Sequence, residues 1–110
     1  MEIIKQYGIT DKREKYNMLN APGTSMSELA GQRIEVAGYV LLSDVDRKSG
    51  EIVRTLKVKT TDGEYIGTRS DSFIEGMLLF LTMMETDELN SFEIGSNKSK
   101  AGRTYICFIA

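Results

Sequence analysis

The sequence predicts a single β-rich domain in which one helix interrupts five strands, preceded by a less regular amino-terminal arm. Three observations carry this reading. From Gln32 onward apolar residues recur at every second position through consecutive segments joined by short, turn-rich loops. Between residues 72 and 84 the apolar spacing changes to that of a helix. The chain has 110 residues, 41% apolar and 27% charged, which is the composition of one globular domain. A chain of that size buries about two-thirds of its extended surface, so no disulfide is needed to support a core.

Residues 1–31 form the arm. Ala21-Pro22-Gly23, with the only proline, signals a turn. Ser25-Met-Ser-Glu28 has capping-box spacing and Gly31 supplies a stop, predicting a short helical turn over about 25–30. Tyr16 to Leu19 reads as a short strand or an extended segment. In the first strand of the domain Ile34, Val36, Val40 and Leu42 share one parity, and Glu35, Ala37 and Tyr39 the other. Gly38 breaks the buried row, as at a bulge or tight bend. Asp46 to Gly50 is a hairpin loop. The second strand, 51–60, sets Ile52, Leu56 and Val58 against Thr55, Lys57 and Lys59. Asp62-Gly63 is a strong hairpin signal, and a third strand follows at 64–69.

Ser72-Phe-Ile-Glu75 is a capping box that opens the helix. Phe73, Ile74, Met77, Leu78, Leu81 and Met84 form one apolar stripe, while Leu79, Phe80 and Met83 lie outside it. The surplus predicts contact with the arm, or else a subunit interface. Glu85, Asp87 and Glu88 oppose the helix dipole, so the helix is expected to end near residue 84. Residues 91–95 and 103–109 read as a final hairpin around a basic loop. Three meandering strands, a helix and two more strands is the order of the five-stranded OB barrel, here all-β with one helix over residues 32–110. That fold takes oligonucleotides on the face of its second and third strands and through two loops.

The net charge of −2 argues against nucleic acid, but its distribution does not. Residues 47–69 carry six basic and three acidic groups, residues 94–110 three basic and none acidic, and the intervening 71–93 six acidic and none basic. On an OB barrel the two basic segments fall on the binding surface: Lys57, Lys59, Tyr65 and Arg69 on the strand face, Lys48 in one loop, Lys98, Lys100 and Arg103 in the other. The alternative is that these are solvated strand edges, where lysine deters aggregation. Cations hold phosphates and flat rings stack unpaired bases, so Tyr39, Tyr65 and Tyr105 are the stacking candidates, Tyr39 foremost because it opposes the apolar row.

Catalytic chemistry is poorly provided for. The chain has no histidine and a single cysteine, excluding imidazole-based triads, internal disulfides and multi-thiolate zinc sites. Cys107 lies in an apolar strand and is expected in the core. Asp44 and Asp46 begin a calcium-loop pattern that fails at Lys48, Ser49 and Thr55. No cofactor, metal or catalytic residue is expected. The absence of a signal-like or membrane-length apolar run predicts a soluble, intracellular chain.

Gly67-Thr-Arg-Ser-Asp-Ser-Phe-Ile74 before an apolar helix, and Ser96-Asn-Lys-Ser-Lys-Ala-Gly-Arg-Thr-Tyr105 near the end, resemble small single-stranded DNA-binding proteins of bacteriophages and mobile elements of Gram-positive bacteria. The likeness covers residues 30–110. It implies an OB fold, sequence-tolerant binding of single-stranded DNA in replication or recombination, and a place in the host cytoplasm. It also implies backbone contacts from Arg69, Lys98, Lys100 and Arg103. Self-association and contact with replication or recombination proteins are the further partners to expect. The competing function is an OB-like module that docks on another protein, with the acidic segment 85–93 as its active surface.

Overall fold

The computed structural model describes residues 1–20, 23–85 and 89–110. The turn expected at Ala21-Pro22, and the acidic side chains of Asp87 and Glu88, lie outside these residues. The elements are β1 (Glu2–Tyr7), α1 (Lys12–Asn20), β2 (Thr24–Ser25), a 3-10 turn (Met26–Leu29), β3 (Arg33–Val45), β4 (Ile52–Thr60), β5 (Tyr65–Thr68), α2 (Asp71–Met84), β6 (Ser91–Lys98) and β7 (Thr104–Ile109). The architecture is mostly β, a curled half-barrel sheet with two α-helices. Among the described residues seven strands replace the five expected, because the arm contributes β1 and β2, and α1 stands where a short strand or an extended segment was expected around Tyr16–Leu19.

β3 organises the sheet, whose order is β2-β5-β4-β3-β6-β7 with β1 also on β3. One edge of β3 pairs with β4 from Val36 to Val45. The other edge is divided: Arg33–Glu35 pair with β6, and Tyr39–Ser43 pair with β1. Such a division requires the strand to bend, and the bend falls at Gly38. Val36 faces Thr60 and Gly38 faces Lys59, so β3 carries one residue more than β4 across this step. Only glycine fits there, since a Cβ would lie 2.7 Å from the Tyr7 carbonyl oxygen.

The bulge reverses the parity of everything beyond it. Ile34 and Val36 point into the main core, and after the extra residue Tyr39 and Leu41 do so instead. Val40 and Leu42 turn to the opposite face, where Ile9, Met18, Leu19 and Tyr65 cover them in a second, smaller core. The single face expected for Ile34, Val36, Val40 and Leu42 on both sides of the Gly38 break is therefore corrected. Both sets are apolar, so alternation alone does not reveal the change of side.

The main core is closed by α2, whose Phe73, Ile74, Met77, Phe80, Leu81 and Met84 pack into the curl of the sheet. The Ser70 hydroxyl caps this helix by accepting from the Phe73 N–H at 3.3 Å, two residues before the cap expected at Ser72. Phe80 joins Phe73, Phe92 and Phe108 in an edge-to-face cluster, which accounts for part of the apolar surplus of the helix. Leu79 remains 72% exposed. The helical turn expected near 25–30 is present, with Ser25 at its cap and Met26 fully buried. No helix among the described residues is long and apolar enough to cross a membrane.

Candidate nucleic-acid interface

The face of the sheet away from α2 is built by alternation on β4 and β5. Leu56 and Val58 are buried toward the core, so Val53, Thr55, Lys57 and Lys59 point outward. The register places Lys59 opposite Tyr65 and Lys57 opposite Gly67, and Arg69 continues the same parity just beyond β5. Four of the residues expected from the sequence, Lys57, Lys59, Tyr65 and Arg69, therefore share this face. Gly67 gives the Lys57 stem its bed, since a Cβ there would meet Lys57 Cδ at 3.1 Å.

The arm divides this face into two halves. Over the first, α1 lies against β4, burying Met18 completely and Leu19 partly on Val40 and Leu42. Tyr65 is half-buried beside this cluster, and Lys59 forms an ion pair with Glu14 of α1. The hydrogen bond to Glu14 holds the Lys59 ammonium above its ordinary pKa. The second half stays open as a cleft of about 860 Å³ between the end of α1, the arm at residues 23–25 and the β3–β4 hairpin. Lys57, Thr55, Gly67 and Arg69 line its floor, with Asp44 and Asp46 along the rim. Asp46 accepts the Lys48 N–H at 2.9 Å, and Asp44 accepts the Val45 N–H at 2.9 Å and pairs with the Met1 ammonium at 3.7 Å. Among the described residues Lys57 and Arg69 make no ion pair.

A second cleft of about 500 Å³ adjoins the first and shares Ser25 and Thr68 with it. It lies between the arm and β5 on one side and β7 on the other, lined by the hydroxyls of Ser70, Ser96 and Thr104 and by Tyr105. Tyr105 is 46% exposed, the most accessible of the three candidate rings.

No protein-family model, no curated protein and no solved structure matches this chain.

Tyr39 is the main correction. The bulge turns its ring inward, where it is fully buried and its hydroxyl donates to Leu81 O at 3.3 Å and Glu85 Oε1 at 3.1 Å. Burial first, and then the hydrogen bond to Glu85, push the phenol above its ordinary pKa. Lys48 sits at the exposed β3–β4 turn, and Lys98, Lys100 and Arg103 around the exposed β6–β7 turn, none of them lining either cleft. Cys107 is corrected as well: it pairs with Gly95 on the outer face of β6–β7, half-exposed, with Asn97 Nδ2 at 3.5 Å from its sulfur. Sequence reasoning missed the contribution of Leu19, Asn20 and Thr24 to the cleft wall, and no local signal marks them. It also missed Arg54, which reaches from β4 to Asp71 at 3.4 Å and Glu75 at 2.7 Å on α2. That arginine is committed to anchoring the helix.

Proposed function

We propose that the protein binds single-stranded nucleic acid along the two adjoining clefts, and that its curled sheet is an OB-type barrel with an arm added to one edge. The observation that carries this reading is the pairing state of the cations. Lys57 and Arg69 face an open cleft without a carboxylate partner, and a phosphodiester supplies the charge they lack. A strand crossing Ser25 and Thr68 reaches Tyr105, whose exposed ring offers a surface on which a base of any identity can stack, worth about 1–3 kcal/mol. No row of side chains suited to reading base edges is needed, so binding is sequence-tolerant. The single-stranded DNA of a replicating or recombining phage or mobile element is the substrate to which the sequence resemblance points.

The test is a titration of fluorescent oligo-dT and of the matching duplex at two salt concentrations, with wild type and a Lys57→Glu, Arg69→Glu variant. The expected result is salt-sensitive binding of the single strand, lost in a variant that remains folded. Binding of the duplex alone, or of neither, overturns the proposal; in the second case the docking of another protein becomes the reading to pursue.

A further inference from the structure

We propose that α1 is a displaceable cover and that the half-face beneath it is a concealed extension of the binding track; this rests on the nucleic-acid reading above. The row of cations and rings does not stop where the open cleft stops. Lys57 and Lys59 stand one alternation apart on β4, with Gly67 and Tyr65 opposite them on β5. Leu19 and Asn20, at the end of α1, form a wall of the open cleft. A strand lying on Lys57 therefore abuts the helix, and the next cation and ring along its path are the two that the helix covers.

The cover is lightly fastened. α1 has nine residues, of which only Met18 is fully buried, and no basic residue in its last turn. Among the described residues its one ion pair to the sheet joins Glu14 to Lys59. In that pair the Glu14 carboxylate stands where a phosphate would sit, so helix and polyanion compete for one ammonium group. A strand that neutralises Lys59 and stacks on Tyr65 makes both contacts at once, whereas the helix offers Lys59 a single carboxylate and is otherwise held by the packing of Met18 and Leu19. Helices held by few buried contacts open at low cost, and a ligand that prefers the open state shifts the population toward it.

The experiment is hydrogen exchange of the full chain with and without saturating oligo-dT, with affinities for wild type, Glu14→Gln and Glu64→Gln. Glu64 is exposed near the same end of the face and makes no ion pair among the described residues, so its variant controls for the loss of one negative charge. The expected result is that amides 14–20 exchange faster with oligo-dT bound. Glu14→Gln is expected to bind about three- to fivefold tighter, as when a competing ion pair is removed, and Glu64→Gln less than about twofold tighter. Unchanged or increased protection of α1 with oligo-dT bound overturns the cover, as does a Glu14→Gln affinity no higher than that of Glu64→Gln. Absence of oligo-dT binding by all three proteins overturns the nucleic-acid reading itself.

Discussion

The Tyr39 hydroxyl and Glu85 Oε1 lie 3.1 Å apart, joining the middle of β3 to the residue that follows α2. Lys5 of β1 approaches the same carboxylate oxygen at 3.4 Å. One glutamate thus ties the arm, the central strand and the helix terminus together. Tyr39→Phe keeps the ring and removes the bond, and is expected to cost about 1–2 kcal/mol in urea unfolding. Its oligo-dT affinity is expected to match wild type, because the ring does not reach either cleft. A loss of affinity without a loss of stability would contradict that placement.

The same tyrosine gives stability a pH dependence. Burial raises its folded pKa above the ordinary tyrosine value, so the folded state retains the phenol proton where the unfolded chain releases it. Stability is therefore complete below about pH 10 and declines as pH rises past the unfolded value. Lys59, raised above 10.5 by Glu14, acts in the same direction at slightly higher pH. Thermal unfolding from pH 8 to 11 is expected to show a smaller decline for Tyr39→Phe than for wild type.

Gly38→Ala tests the bulge. The added methyl would lie 2.7 Å from Tyr7 O and 2.8 Å from Ile9 Cδ1, so either β1 or the second core must shift. The expected cost is about 1–3 kcal/mol, measured as a lowered urea midpoint with an unchanged slope.

How much of this was legible beforehand depends on distance along the chain. The β3–β4–β5 meander and α2 are specified by local alternation, turn residues and capping hydroxyls, all of which a short window contains. Gly38 was readable as an interruption, but whether the strand resumes on the same face depends on what covers the far side. That cover is Met18 and Leu19, some twenty residues earlier. The arm itself was obscure because α1 is mostly polar and has a single fully buried side chain. Cys107 and Tyr105 share a parity on an edge strand whose two faces are both partly apolar, so composition does not distinguish inside from outside.

Lys57→Ala and Arg69→Ala are each expected to weaken oligo-dT binding. Each should also flatten the dependence of log affinity on log salt by about 0.7, the share of one phosphate contact on a single strand. Lys59→Ala is expected to flatten the slope as well, but only with oligomers long enough to run beyond the open cleft and take that ammonium from Glu14. Titrations at several salt concentrations and oligomer lengths separate the three.

Tyr105→Ala is expected to leave the unfolding midpoint nearly unchanged, since the ring is 46% exposed, and to reduce affinity by about 1–3 kcal/mol. Oligomers too short to reach the second cleft should show no such difference.

The extra residue in β3 has an evolutionary consequence. Deleting Ala37 or Gly38 would exchange the two faces along the whole distal half of the strand, sending Tyr39 and Leu41 into the smaller core under α1 and Val40 and Leu42 into the main one. The 46–51 turn, by contrast, lies beyond both cores and can gain or lose residues without altering any buried row. Length variation among descendants of this chain should accumulate at the tip of the hairpin and be purged at its bend.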